Sequence, residues 1–283
     1  MAEKQKIKIR VKKKIKITVK QQTITTDETK QRIIQLFYDN VKGKEILLKK
    51  SHCGSEGQWL EQQMGVKSNS KNAPDVDGYE LKKESPKITF GDFSASEYLF
   101  KQQKPLIDQF NEWETGLVDI TRDDFMHYFG APNPKKHGRY SWSGQCVPTY
   151  GQWNTFGQVM KFNDNNDLCI YYSFDRDTRP IKTKFPVFLK ETNEVLIAIW
   201  TFDKLSHHIN NKFNQKGFFV CKKIGGKYEK ICFGPPFNFS YFIKNMKNGL
   251  IIFDSGMYTG NTRNYSQFRS SSKVWDSMIT EEY

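Results

Sequence analysis

Long hydrophobic runs and patterned cysteines are both missing from this 283-residue sequence. Without a run of about eighteen apolar residues, no transmembrane helix is predicted. The charged N-terminus is not followed by an apolar segment or a small-residue cleavage site, so we expect no signal peptide. The five cysteines form no C-x-x-C pair, which argues against a disulfide framework and a cysteine-ligated zinc site. We therefore expect buried, reduced thiols in a cytoplasmic protein.

Acidic residues are scarce relative to basic ones. The chain has 44 Lys and Arg against 31 Asp and Glu, a net charge of +13. Residues 1–20 hold nine Lys or Arg and one Glu, so this short segment alone carries +8. A basic N-terminal arm, residues 1–25, on a mildly basic body suits a polyanion such as nucleic acid. Solubility, or a tail without a specific target, is the alternative interpretation.

Hydrophobic patterning predicts strands that alternate with helices, which is typical of an α/β or α+β domain. The helices are expected to begin near Thr26-Asp27-Glu28 and to cover 57–65 and 203–213. Strands are expected within 6–20 and at 78–82, 187–189, 195–200, 217–221 and 249–254. The segment 137–142 is predicted to be an exposed loop.

One segment carries a pattern suited to phosphodiester hydrolysis: Pro74-Asp75, four residues, then Glu80-x-Lys82. This reaction needs a hard cation and a water placed in line with the leaving oxygen. Carboxylates can hold Mg²⁺, and a lysine can orient the water or help to deprotonate it. Glu80 and Lys82 are two apart and share one face of a strand, and a turn can bring Asp75 to the same edge. Asp77 competes with Asp75 for the metal role, and alternating Glu and Lys is also typical of a solvated strand.

Upstream of this pattern stands the motif Gly54-x-x-Gly57-x-x-Leu60-Glu61, followed by Gly65. Together the two patterns resemble the MvaI/BcnI group of type II restriction endonucleases, which is itself similar to the MutH mismatch-repair endonuclease. The resemblance implies an α/β (α+β) fold with a PD-(D/E)xK nuclease core. That core is a mixed central sheet flanked by helices, with a second DNA-recognition lobe forming a cleft.

The resemblance also implies roles for individual residues. Asp75 and Glu80 would be ligands of Mg²⁺, and Lys82 would be the catalytic lysine. Glu61 would be an acidic residue on a helix that assists through the metal or the water, with a solvated helix position as the alternative. The pattern W-x-x-D-x-L, then I-x-x-K-F, over 200–213 is similar to the helix that follows the catalytic strands. It makes Lys212 a basic residue reaching the active site, unless Lys212 is an ordinary helix lysine.

Residues 249–269 resemble the terminal strand and DNA-contact segment of the group. Arg263, Asn264 and Arg269 are therefore expected to contact DNA. The group usually has His-Gly after the arginine, where this chain has Asn264-Tyr265, so base contacts and target sequence are expected to differ. A second candidate set is Arg139 and Tyr140, because donors and planar groups suit base edges. Arg139 could equally pair with a surface carboxylate.

The sequence thus predicts a Mg²⁺-dependent type II restriction endonuclease acting on double-stranded DNA. By resemblance it would be a monomer that leaves 5′-phosphate and 3′-hydroxyl ends, without a membrane partner, and with a cognate DNA methyltransferase as genetic partner. A MutH-like strand-nicking endonuclease and a non-catalytic DNA-binding protein are the alternatives. We expect a discontinuous catalytic lobe of residues 26–125 and 187–225 and a recognition lobe of 126–186 and 226–283.

Overall fold

A computed structural model describes residues 27–46, 54–66, 72–101 and 120–283. The basic arm of residues 1–25, with the strand predicted inside it, lies outside these ranges, as does Cys53. Within them, no helix combines the length and the apolar character needed to cross a membrane. The four cysteines of the described ranges are buried and free, as predicted: Cys146, Cys169, Cys221 and Cys232.

Helices and strands alternate irregularly along the described chain. The helices are α1 Glu28–Asn40, α2 Ser55–Gln63, α3 Arg122–Phe129, α4 Val187–Glu191, α5 Phe202–Phe213, α6 Phe239–Lys247 and α7 Ser272–Asp276. The strands are β1 Tyr79–Lys83, β2 Lys87–Asp92, β3 Glu97–Tyr98, β4 Ala131–Asn133, β5 Arg139–Trp142, β6 Phe156–Phe162, β7 Leu168–Asp177, β8 Val195–Trp200, β9 Gly217–Ile224, β10 Lys227–Gly234, β11 Ile252–Ser255, β12 Met257–Tyr258, β13 Ser266–Ser271 and β14 Glu281–Glu282.

The strands form four sheets, of which the one containing β1 is mixed. Its order is β1-β9-β10-β14, with β1 parallel to β9 and the other pairs antiparallel. The other sheets have the orders β11-β13-β2, β12-β5-β4 and β3-β8-β7-β6. This α+β architecture with a mixed sheet confirms the predicted fold class. The division into two lobes stays a prediction; β10, beyond residue 225, hydrogen-bonds to β9 in the sheet of β1.

Two hydrophobic cores lie on opposite faces of the sheet of β1. The smaller core packs α1 and α2 against the face that carries Leu81 and Phe219. The larger core holds Phe218 and Val220. Because Glu80 pairs with Phe218 and Lys82 with Val220, these two charged residues share the face of the larger core. The prediction that Glu80 and Lys82 project from one face is confirmed.

Most predicted elements are present; two predictions are wrong, and one strand starts later than predicted. Residues 187–189 begin helix α4 instead of forming a strand, because a short apolar run has no periodicity that separates the two. The strand expected from residue 249 starts at Ile252, since Gly249, with φ 71°, terminates α6. The predicted loop 137–142 contains strand β5, whose Trp142 is fully buried and pairs with β12.

Candidate active site

A tight turn in front of β1 creates the geometry of the site. Asp77 and Gly78 both have positive φ, 41° and 95°, and the N–H of Val76 donates to the carbonyl of Tyr79 at 2.9 Å. Asp-Gly is a favoured pair for such a two-residue turn, because both positions need left-handed backbone. The turn reverses the chain, so that Asp75 lies beside the strand that it precedes.

The position of Asp75 differs sharply from that of Asp77. Oδ2 of Asp75 accepts the backbone N–H of Leu81 at 2.9 Å. Burial, with the nearby charge of Glu80, raises the pKa of Asp75 to about 6. The Asp77 side chain is largely exposed and pairs with Arg32 at 2.5 Å. The geometry therefore favours Asp75 over Asp77 as a metal ligand.

Glu80 is a buried carboxylate held by two lysines. Its Oε1 accepts a hydrogen bond from Nζ of Lys82 at 2.8 Å and forms an ion pair with Nζ of Lys212 at 2.9 Å. Its Oε2 is buried without a hydrogen-bond partner among the described residues. A buried carboxylate oxygen without a partner is costly, and such atoms often mark a ligand position. The geometry brings Lys212 of α5 to the site, as the resemblance implied.

Lys82 lies in an apolar pocket. Its Nζ is 5.3 Å from the ring centre of Phe213 and 5.7 Å from that of Trp275. Burial lowers the pKa of Lys82; the charge of Glu80 opposes this shift and the charge of Lys212 adds to it. An amine with a lowered pKa exchanges protons with water more readily near neutral pH.

Glu61 comes from α2 and lines the same cleft. Glu61 is half-buried, and burial together with the charge of Glu80 raises its pKa. The alternative interpretation of Glu61 from the sequence was a solvated position on a helix, and a half-buried side chain does not match it.

Helix α2 is fixed by Glu56, a residue that the sequence did not single out. Its carboxylate bonds to Lys83 at 2.6 Å, to Lys223, and to the hydroxyl of Tyr228 at 2.9 Å. Although burial opposes ionisation, these hydrogen bonds together lower the pKa of Glu56 to about 2. Glu56 thereby ties the helix that carries Glu61 to strands β1, β9 and β10.

Glu56→Gln should destabilise the protein at neutral pH by about 2 kcal/mol, the scale of hydrogen bonds to a charged group. Because the pKa of Glu56 is lowered in the folded protein, its ionised carboxylate stabilises the fold at pH values above the ordinary pKa of 4.5. This contribution to stability is lost as the pH falls toward 2. The loss in thermal stability should therefore shrink with acidification over that range. The control is Glu191→Gln, at an exposed position. An equal loss at pH 7 and at pH 3 would contradict the assignment.

The site opens into a cleft of about 690 Å³. Arg263 and Arg269 line it together with the five predicted catalytic residues, which are Glu61, Asp75, Glu80, Lys82 and Lys212. Arg263 pairs with Asp92 at 3.1 Å, and Arg269 pairs with Asp254 at 3.1 Å. Two of the expected DNA-contacting arginines thus share one cavity with the carboxylates.

The remaining DNA-contact candidates lie outside the cleft lining. Arg139 and Tyr140 are on β5, where the Arg139 guanidinium carbon is 3.6 Å from the ring centre of Tyr258. Among the described residues, the guanidinium group of Arg139 thus stacks on the ring of Tyr258 and forms no ion pair with a carboxylate. Trp142 belongs to the core, where its ring N–H donates to Gln158 at 2.8 Å. Asn264, half-buried, follows Arg263 in the loop between β12 and β13.

The mixed sheet, with an Asp before β1 and a Glu and a Lys two apart on one face of it, defines a nuclease of the PD-(D/E)xK type. The restriction endonuclease MvaI bound to its cognate DNA substrate has the same fold, with a TM-score of 0.57 at 12% identity. That match covers 92% of this chain and 99% of the MvaI chain.

The chain belongs to the LlaMI restriction endonuclease family, whose model matches residues 41–283. The type II restriction enzyme ScrFI of Lactococcus lactis subsp. cremoris is 40% identical over 269 residues, which are 89% of this chain and 97% of ScrFI. The predicted resemblance to type II restriction endonucleases is confirmed. The protein is a type II restriction endonuclease, a site-specific deoxyribonuclease.

Proposed function

We propose that the protein hydrolyses both strands of double-stranded DNA at a short specific sequence, using Mg²⁺ held by Asp75 and Glu80. The observation that carries this proposal is the buried Glu80. One of its oxygens is held by two lysines and the other has no hydrogen-bond partner among the described residues, while Asp75 lines the same cleft. A hard cation is the ligand that suits an orphaned, buried carboxylate oxygen.

The residues present fit a magnesium ion. Mg²⁺ is usually bound through one or two carboxylates and completes its shell with water and substrate phosphate oxygens. In the described part of the chain, no group of three or more His, Cys, Asp or Glu is arranged to hold a metal; Asp75 and Glu80 would supply two carboxylates. Type II restriction endonucleases generally use a divalent metal. When bound, the ion would neutralise charge on the scissile phosphate and acidify a water.

The protein's own side chains would then handle the water and its proton. Lys82 would orient the attacking water and, in the neutral form that its lowered pKa favours, would take up the proton of that water. Lys212 forms an ion pair with the same Glu80 oxygen, so it would hold Glu80 in place while Lys82 turns to the water. Glu61, whose pKa is raised, would assist through the metal or the water.

The DNA side of the cleft carries arginines. Arg263 and Arg269 line it, and guanidinium groups match guanine edges and phosphate oxygens geometrically. Asn264, Arg139 and Tyr140 would contact DNA beside the cleft. The basic arm would add affinity without sequence information, through release of counterions.

The resemblance supplies the rest of the proposal. The enzyme would act in the cytoplasm as a monomer, cutting one strand at a time and leaving 5′-phosphate and 3′-hydroxyl ends. A DNA methyltransferase would protect the host sites, because an unprotected endonuclease would cut the genome of its own cell. The catalytic lobe would be formed by residues 26–125 and 187–225, and the recognition lobe by 126–186 and 226–283.

Digestion of plasmid DNA with and without Mg²⁺ tests the proposed function. Discrete linear fragments that need Mg²⁺ are the expected result, and sequencing their ends gives the target site and the cut position. Nicked circles as the final product would identify a MutH-like strand-nicking enzyme instead. A gel shift without cleavage would identify a non-catalytic DNA-binding protein. Cleavage that persists in a chelator would contradict the metal requirement.

A further inference from the structure

Arg122 makes three hydrogen bonds to one loop that is distant in sequence. Its Nε donates to Oδ1 of Asn264 at 2.9 Å, and its two terminal nitrogens donate to the carbonyls of Tyr258 and Arg263 at 2.9 and 2.8 Å. The loop between β12 and β13, residues 259–265, has no helix or strand of its own. One guanidinium group therefore fixes both ends of the segment that carries Arg263 and Asn264.

The base from which Arg122 reaches this loop is rigid. Arg122 is the first residue of α3, and Thr121 and Asp124 close a capping box around it. Buried side chains of the same helix, among them Phe125 and Phe129, anchor α3 in the larger core. The constraint on the loop thus comes from an element that cannot easily move with it.

The contact with Arg122 also sets which way the amide of Asn264 faces. A guanidinium group only donates hydrogen bonds, so the atom that it contacts must be the amide oxygen. The Nδ2 group of Asn264 then keeps its two donors, which have no hydrogen-bond partner among the described residues. The backbone carbonyl of Asn264 accepts the hydroxyl of Ser94 at 2.9 Å, which holds the residue from a third side.

We propose that Arg122 is a positioning residue for DNA recognition, which fixes the loop 259–265 and makes Asn264 a hydrogen-bond donor toward acceptors of the DNA. This inference rests on the proposed function, in which that loop contacts DNA. The acceptor is either a phosphate oxygen or a base-edge atom such as O6 or N7 of guanine. The two-way pairing of an asparagine with adenine would have to use the second lone pair of the amide oxygen, because Arg122 takes the first.

The first test compares Arg122→Gln with Arg176→Gln, a matched change at an exposed arginine of β7. Binding is measured without metal to a duplex that contains the target site found by end sequencing and to one that lacks it. Arg122→Gln should weaken target binding by about ten- to a hundredfold, the discrimination of one good base-edge contact. It should raise KM more than it lowers kcat. Non-target binding should be unchanged if the acceptor is a base edge and weakened equally if the acceptor is a phosphate. Target binding and KM like those of Arg176→Gln would overturn the proposal.

The second test asks whether Arg122 acts through Asn264. Its Asn264 variants leave Arg122 unchanged, so they do not require that Arg122→Gln be well folded. Asn264→Asp keeps the oxygen that accepts from Arg122 but removes both donors. It should weaken target binding at least as much as Asn264→Ala. In the double variant Arg122→Gln/Asn264→Ala, the loss should be smaller than the product of the two single losses. Wild-type binding by Asn264→Asp, or a fully multiplicative double loss, would overturn the proposal.

Two further arms separate this inference from the proposed function and identify the acceptor. If Arg263→Ala weakens binding but Asn264→Ala does not, the loop contacts DNA and the role of Asn264 is overturned. If neither weakens binding, the proposed DNA face itself is wrong.

A target duplex with single methylphosphonate linkages reports a phosphate acceptor. One with 7-deazaguanine reports a guanine N7 acceptor, and the effect of Asn264→Ala should vanish on whichever duplex lacks that acceptor.

Discussion

Lys82→Ala should reduce the rate of DNA cleavage by roughly 10²- to 10⁴-fold, the contribution of a positioned acid–base group, while target binding is retained. The ammonium group touches Glu80 and lies near the aromatic rings of Phe213 and Trp275. Its removal therefore takes away the group that handles the water and leaves the DNA contacts in place. Single-turnover cleavage at saturating Mg²⁺, with metal-free binding measured in parallel, gives both quantities.

The matched control is Lys87→Ala, another lysine that lines the same cleft but is exposed and lies outside the motif. It should cleave within a few-fold of the unchanged enzyme. Lys82→Met keeps the apolar stem against Phe213 and removes only the charge, so it separates loss of packing from loss of chemistry. Unchanged cleavage by both Lys82 variants would remove this residue from the mechanism.

Asp75→Asn should lower cleavage by roughly a hundredfold or more and raise the Mg²⁺ concentration needed for half-maximal rate. Mutation of a residue that merely hydrogen-bonds to a metal ligand typically lowers metal affinity or activity by about 10- to 100-fold. Loss of a charged ligand itself should therefore lower activity by at least as much. Asparagine keeps an oxygen that can accept the N–H of Leu81, so the turn before β1 should be retained. A titration of the cleavage rate with Mg²⁺ measures both effects.

Although Asp75→Asn should lower the cleavage rate, it should raise the stability of the fold. Burial raises the pKa of Asp75 to about 6, so its ionised form destabilises the metal-free fold above that pH, and the neutral amide should be more stable at pH 7. Asp77→Asn is the control, since Asp77 is exposed and paired with Arg32. If Asp77→Asn abolished cleavage and Asp75→Asn did not, the metal role would belong to Asp77.

Two lysines lie against the buried carboxylate of the site. The ammonium groups of Lys82 and Lys212 share one oxygen of Glu80, and Asp75 and Glu61 line the same cleft. Paired in this way, the charge of Glu80 avoids much of the desolvation penalty that an isolated ion would meet.

The sequence by itself determined the parts of the site that depend on local geometry. Period-two spacing places Glu80 and Lys82 on one face of a strand, and Asp77-Gly78 is a turn pair that folds Asp75 back beside that strand. The bounding glycines, Gly57 and Gly65, also indicated the short helix that carries Glu61. Such signals need only neighbouring residues, so they can be seen without knowledge of the fold.

Tertiary structure decided what depends on contacts between distant segments. The apolar run 187–189 is helical, and the supposed loop at Arg139 is a strand, because packing and pairing with remote elements settle short ambiguous stretches. No spacing in the sequence indicates that Arg122 would hold Asn264, 142 residues later in the chain. The meeting of Lys212 with Glu80 was implied only by resemblance. Side chains from remote segments come together only when the cores close, so their pairing is a property of the fold.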